Sequence, residues 1–423
     1  MRMRSRYAVL VLIVAAASCS EPRAAAEPAN AVTAEDRRVS RADSAGVEIV
    51  TTSAPIWDRD HAWSLSPSPF LAATDSSLGL GRIVAMARLA SGHIAVGDPV
   101  LGTVLLLDST GTVARRIEGR VAGRPFRQLF WLGATGDTLL AYDIAENRFL
   151  RIPRQGEATA VALRTVSQSS FTALRPIGVF AGGGILAVSG GSSFPFPGEE
   201  FEVVQDSAVL LRYAPSGRVR DTVGIVPWSE SFGVAAGTER RRIMVPLPRP
   251  YGRATSVAAV GERFYVGTGV QFEITVHDTA GRLVRVVRIP QVRDSLPAAA
   301  VDSYQARVRR RVERGDSGRA ERALANALEN APYPATIPAY ERLMVAPDGV
   351  MWVLDAAPTT RESVTWRVFD ADGRWLGVVP MPARFMVHEI GTDHVLGAWS
   401  GDDGGREVRV YRIERPLIAA DGR

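Results

Sequence analysis

The chain contains no lysine: all 50 basic residues among its 423 are arginine. A replacement this complete follows from the base composition of a GC-rich genome rather than from the demands of a binding surface. The formal net charge of +5 overstates the basicity of the folded part, because Arg2, Arg4 and Arg6 lie in a segment expected to be removed, which leaves +2. Nucleic-acid-binding domains carry a concentrated basic face, so no nucleic-acid partner is implied. Cysteine occurs once, as Cys19, which excludes an intramolecular disulfide and any zinc site built on cysteines. Histidine occurs five times, as His61, His93, His277, His388 and His394. No two of these fall at i, i+4, and there is no HExxH run. His388 and Glu389 are adjacent, a spacing that sends side chains to opposite faces of a strand. No G-x-S-x-G elbow is present for a serine nucleophile. The glycine runs at 182–184 and 190–191 lack the strand-to-helix setting of a phosphate loop.

What is present begins with a leader. Residues 1–18 have the parts of an export signal: three arginines, an apolar run over 7–17, then small residues up to Cys19. Eleven helical residues reach only about 17 Å, short of a hydrocarbon core of about 30 Å, so a spanning helix is the weaker reading. Ala16-Ala17-Ser18-Cys19 resembles a lipobox, with Ala16 where leucine is commoner. That resemblance implies diacylation of Cys19 and cleavage before it. Residues 19–45 are rich in Ala, Glu, Arg, Ser and Pro without apolar periodicity. Such a segment cannot offset its ordering entropy, and a disordered tether is predicted. Ser20, rather than Asp, follows the cysteine. This resembles lipoproteins sorted to the outer membrane, so the predicted location is the outer membrane facing the periplasm, with the membrane as a partner through lipidated Cys19.

A four-strand unit then repeats through residues 46–415. It consists of an apolar strand, a Gly turn, a second strand often ending in Asp, a third strand ending near Asp-x-x-Gly, and a fourth. Copies fall at 83–118, 128–163, 174–226, 254–290, 340–382 and 384–414. Asp-x-x-Gly between apolar runs is a hairpin turn in which Asp bonds its own backbone and Gly supplies the positive φ. It occurs at Asp108–Gly111, Asp278–Gly281 and Asp370–Gly373, with Pro215-Ser216-Gly217 as a variant. A four-stranded unit with two apolar faces cannot bury both alone, and a ring of such units can. The last unit lacks a fourth strand, which residues 46–52, or alternatively 62–66, would supply from the other end of the chain. Residues 416–423 are left as a tail.

SGHIAVGD (91–98), PDGVMWVLD (347–355) and VFDADGRW (368–375) resemble the blades of six-bladed β-propellers of the NHL/TolB-like type. The resemblance implies an all-β, six-bladed β-propeller of four-stranded antiparallel blades, closed by an N-terminal strand. Its motifs are architectural and identify the blade rather than its task. Calcium-dependent lactonase propellers resemble this fold and use Glu, Asp and Asn ligands; here Asn147 is the one asparagine of the body outside the helical stretch described next.

Two stretches interrupt the repeat. Residues 296–331 are rich in helix formers and predict a helical insertion between the fourth and fifth units, split at Gly315 and Gly318. Tyr304, Val308 and Val312, and then Ala320, Leu324 and Leu328, fall at four-residue spacing. Arg307, Arg309, Arg310, Arg311 and Arg314 form a cluster that reads as a solvated face or as an anion-binding surface. Residues 190–206 carry Phe194, Phe196 and Phe201, which either fold back onto the blade or clamp a ligand.

One positional pattern bears on chemistry. Asp98, Asp143 and Asp355 end second strands, and Asp402 is placed to do the same. A rim of carboxylates at the channel mouth would bind a cation or a basic ligand; alternatively, each Asp caps its following turn. No cofactor is required by the sequence, and a divalent cation is compatible with it. The leading expectation is a monomeric, envelope-anchored binding or scaffolding module for a protein or small-molecule ligand. The alternative is a metal-dependent hydrolase or lyase with its site at the channel mouth.

Overall fold

The computed structural model describes residues 38–416, apart from 59, 81, 119–124, 165–173, 191–195, 239–240, 316–317, 358–361 and 402–404. Among the described residues the apolar runs form six sheets. Sheet one contains Ala85–Arg88, Ile94–Asp98, Thr103–Leu107 and Val113–Ile117, and sheet two contains Leu129–Thr135, Thr138–Asp143, Arg148–Pro153 and Thr159–Ala162. Sheet three has five strands: Leu174–Val179, Ile185–Gly190, Val203–Tyr213, the long Val219–Thr238, and Arg241–Pro248. Sheet four is built on Ser256–Val260, Arg263–Gly267, Glu273–Asp278 and Leu283–Arg288; sheet five on Arg342–Val345, Met351–Leu354, Ser363–Phe369 and Trp375–Pro382. Sheet six contributes Phe385–Ile390, His394–Ser400 and Arg406–Glu414.

The sheets stand in a propeller-like ring. The first strand of each sheet touches the first strand of the next, and that of sheet six touches that of sheet one. Side-chain alternation explains the arrangement, because successive residues of a strand feed opposite faces. Along Thr138–Asp143, Leu139 and Ala141 join the cluster shared with sheet one. Leu140 and Tyr142 join the cluster shared with sheet three. Equivalent clusters fill the remaining four interfaces, including the closing one, where Leu396 and Val410 meet Ile94 and Leu105.

The Asp-x-x-Gly turns form as expected and also do something the sequence did not disclose. The Asp108 carboxylate accepts the N–H groups of Thr110 and Thr112 at 2.9 and 3.0 Å, and Asp278 and Asp370 repeat this. Each turn then abuts the fourth strand of the preceding sheet. A Cβ on Gly281 (φ +87°) would lie 2.4 Å from the Val223 carbonyl oxygen, and one on Gly373 (φ +86°) 2.6 Å from Val287.

Two expectations about the amino-terminal segment need correction. Residues 46–52 do not complete the last unit: Val47–Thr52 pairs in parallel with Leu283–Arg288 of sheet four. The alternative, residues 62–66, holds in part: Ser64–Leu65 pairs antiparallel with Arg406–Glu414, and Leu71–Thr74 supplies the longer pairing along the same strand. The reason is connectivity: a closing strand must lead directly into the first strand of sheet one, and Leu71–Thr74 lies just before it. Lastly, Val39–Ser44 is not part of an unstructured tether. It forms a hairpin with Val47–Thr52 across Ala45 and Gly46, both at positive φ (+54° and +81°), the geometry of a tight two-residue turn. Ile56 and Trp57 continue along the Trp375 strand of sheet five. The segment thus runs as a belt along the outer edges of sheets four, five and six.

Between sheets four and five the chain leaves the ring as two helices, Ala298–Glu313 and Arg319–Ala327. They pack on the projecting hairpin of sheet three, where Val308, Leu324 and Leu328 share a separate cluster with Phe232 and Leu247. That hairpin, Ser231–Pro248, was not anticipated.

Candidate functional site

Of the aspartates of the expected rim, the three that are described, Asp98, Asp143 and Asp355, do not converge on one pocket. Asp98 is fully buried. One of its oxygens accepts the Val100 and Leu101 N–H groups at 2.7 and 3.1 Å, and the other accepts the Arg82 N–H at 3.0 Å. Asp143 is also fully buried and accepts the N–H groups of Arg127 and Gln128, with Arg148 Nη2 3.4 Å away. Both therefore pin the start of their sheet's first strand, a structural use of the second-strand Asp. Asp355 accepts from Arg367 Nε at 2.7 Å in a crevice of about 270 Å³ outside the channel, between sheets four and five. Asp402 lies outside the described residues, as do Cys19 and Phe194. Among the described residues, no group of three His, Cys, Asp or Glu converges for a metal ion.

The ring encloses a different site. A cavity of about 390 Å³ is lined by residues from the first strands of all six sheets, among them Met86, Trp131, Ile177, Ser256, Arg342 and His388. Arg342 opens its strand. Its Nη1 donates to the Val387 carbonyl at 2.8 Å, and no ion pair joins it among the described residues. Burial lowers the pKa of its guanidinium, although arginine stays protonated throughout.

His388 stands beside it. Burial first, and then the charges of Arg342 and Arg406, push its pKa down to about 4, so the ring is neutral at neutral pH. Its Nε2 is sealed from water without a hydrogen-bond partner among the described residues. The adjacency of His388 and Glu389 misled the reading of alternation. A bulge between Val387 and Glu389 breaks the register, and both residues line the cavity. Glu389 is occupied: it accepts the Arg88 N–H at 2.9 Å, and its other oxygen lies 3.2 Å from His394 Nε2. His394 is held on its other nitrogen by Asp393 at 2.7 Å. His277 is likewise satisfied, by Thr275 and Gly281.

The hairpin and helices form one cap-like unit, tied to the segments that lead into the first strands of sheets four and five. Glu230, buried at 3% exposure, takes Arg249 and Arg253 as ion-pair partners, and Arg249 Nε donates to the Pro332 carbonyl at 2.6 Å. Burial alone would raise the Glu230 pKa; the hydrogen bonds from Arg253 and Arg249 outweigh it and hold it below the usual value. Tyr251 donates to the Ala300 carbonyl at 2.9 Å. Burial pushes its hydroxyl up, opposed by Arg307 and reinforced by Tyr333 and Glu341. Glu341, the neighbour of Arg342, thus lies within electrostatic reach of the cap. Its own pKa is raised by burial against one hydrogen bond, from the Ala357 N–H at 3.3 Å.

The arginine cluster of the first helix is largely engaged: Arg309 pairs with Glu329, Arg311 with Glu321, and Arg307 stacks on Tyr304. Phe196 is buried and Phe201 stacks on Phe232, so both fold back onto the protein. Sequence reasoning missed Arg342. Its one signal was a cation opening the otherwise apolar run RLMV.

No protein-family model matches the chain, and no curated protein matches it. Among solved structures it is similar to a member of the DUF4221 family from Bacteroides vulgatus, at 11% identity and a TM-score of 0.45, covering 85% of this chain and 100% of the other. It is also similar to virginiamycin B lyase from Staphylococcus aureus (9% identity, TM-score 0.38, 82% and 99% covered). A third is the PQQ-bound aldose sugar dehydrogenase from Streptomyces coelicolor (13% identity, TM-score 0.36, 82% and 100% covered). Likeness at this level assigns neither activity nor ligand to the present chain.

Proposed function

We propose that the chain is a six-bladed β-propeller lipoprotein that acts as an envelope-anchored binding module, with its ligand site in the central channel. The observation that carries this reading is the cavity of about 390 Å³ lined by first strands of all six sheets. Such a cavity falls in the size range of small-molecule sites. The anchor is Cys19, and the helical insertion belongs to the cap rather than to a nucleic-acid or membrane surface. A metal-dependent hydrolase or lyase built on Asp98, Asp143 and Asp355 draws no support from the geometry, since the first two carboxylates are directed at backbone N–H groups.

Two experiments test the reading. Cys19→Ala is expected to move the protein from the membrane fraction to the soluble fraction; unchanged fractionation contradicts the anchor. Native mass spectrometry of protein released gently from its envelope is expected to show a bound small molecule that leaves on unfolding. Bare protein under the same conditions, with every offered small molecule bound outside the channel, contradicts the module.

A further inference from the structure

Arg342 is the feature of the channel that the fold itself does not use. A guanidinium presents five N–H donors in a planar fork, and one hydrogen bond, from Nη1 to Val387, is made here. The carboxylates nearest in the chain are engaged elsewhere: Glu341 with the Ala357 N–H, and Glu389 with Arg88 and His394. Glu389, the one carboxylate lining the same cavity among the described residues, is thus directed at those partners. Arg406 and Arg342 both act on His388, whose Nε2 is enclosed and has no hydrogen-bond partner among the described residues. A second arginine, Arg175, lies near the start of the first strand of sheet three. Its guanidinium sits 5.9 Å from the centre of the Trp228 ring, a cation–π contact and not a salt bridge.

A half-buried guanidinium with no ion-pair partner among the described residues keeps most of its donors for a partner that arrives from outside the chain. The planar fork matches acceptors that offer two oxygens side by side, which are carboxylates and phosphates. A neutral imidazole beside the fork adds one N–H donor, which meets a channel ligand only from Nδ1, since Nε2 is enclosed. Resting on the channel being the recognition site, we infer that Arg342, assisted by His388, binds the oxyanion group of a small-molecule ligand, a carboxylate or a phosphate, in the central channel.

The test is calorimetric titration of the purified full chain with benzoate and with inorganic phosphate, using sodium chloride at equal ionic strength as the control. One of the two is expected to bind, and which one binds distinguishes the two oxyanions. Arg342→Met is expected to weaken that binding by about thirtyfold or more, the loss of a charge-assisted hydrogen-bonded pair. The same variant is expected to leave the ligand-free unfolding midpoint unchanged or raised, because it removes a half-buried charge with no ion-pair partner among the described residues. Arg342→Lys, which keeps the charge and loses the fork, is expected to retain part of the affinity; it carries the test if the methionine variant does not fold. Unchanged affinity in these variants, with the anion located in the channel by crystallography, overturns the role of Arg342 and leaves the channel reading standing. An anion found bound away from the channel overturns the channel reading itself. Absence of binding by both probes overturns the inference.

Discussion

Gly281 and Gly136 both hold a positive φ, +87° and +56°, yet their surroundings differ. Open space surrounds Gly136, whereas a Cβ at Gly281 would meet the Val223 backbone of the preceding sheet. Gly136→Ala is therefore expected to lose about 1–2 kcal/mol, the left-handed backbone penalty alone. Gly281→Ala is expected to lose about 2–5 kcal/mol, because overpacking is added. Urea unfolding midpoints check the difference, and equal losses would contradict the docking role of the turn. His388 gives a second residue-scale expectation. Its folded pKa of about 4 lies below the ordinary 6.5, so the unfolded chain binds the proton first as pH falls. The stability tied to a neutral His388 is complete above pH 6.5 and is lost progressively down to about 4. With roughly 1.4 kcal/mol for each pH unit between those two values, the loss is about 3 kcal/mol. His388→Gln is expected to flatten that part of the stability–pH curve; an unaltered slope would show that His388 titrates normally. The turn residues were legible from sequence because Asp and Gly act locally. Arg342 and His388 were not, because a strand residue that lines a channel looks the same in sequence as one in a core, and the bulge at Val387 has no composition mark.

The amino-terminal strands show the same limit for whole elements. Val47–Thr52 and Leu71–Thr74 both alternate, with Val50 and Thr52 buried in one and Leu71 and Ala73 in the other. Alternation marks a strand and a buried face; it does not name the neighbour. The lengths of the connections decide that, and they place Leu71–Thr74 against sheet six. The projecting hairpin went unread for a related reason. Val219–Thr238 serves two sheet pairings in succession, with Val203–Tyr213 and then with Arg241–Pro248. A repeat template stops at the first. Leu71 is 4% exposed in the cluster joining sheets six and one. Leu71→Ala is expected to lower stability by about 2–5 kcal/mol, the usual range for a core truncation. Urea unfolding is expected to show this as a fall in midpoint with an unchanged slope. A change within about 0.5 kcal/mol, typical of a surface position, would remove this strand from the core of the closure.

At the scale of the molecule, the six sheets and the channel are one construction. Each interface buries faces that neither sheet could bury alone, and the cavity exists because six first strands meet around it. The repeat made the four-stranded units and their propeller-like arrangement legible. The belt and the cap were less so, since both depend on contacts between distant segments. Closure of the ring is the claim on which the channel, Arg342 within it and the cap all depend. Residue-resolved hydrogen exchange of the purified chain tests it most directly. The amides of Leu71–Thr74 and Arg406–Glu414 are expected to be protected as strongly as those of Thr103–Leu107, and to open with them in one cooperative step. Rapid, independent exchange of Leu71–Thr74, with sheets one and six still fully protected, would mean that the ring is not closed by that strand.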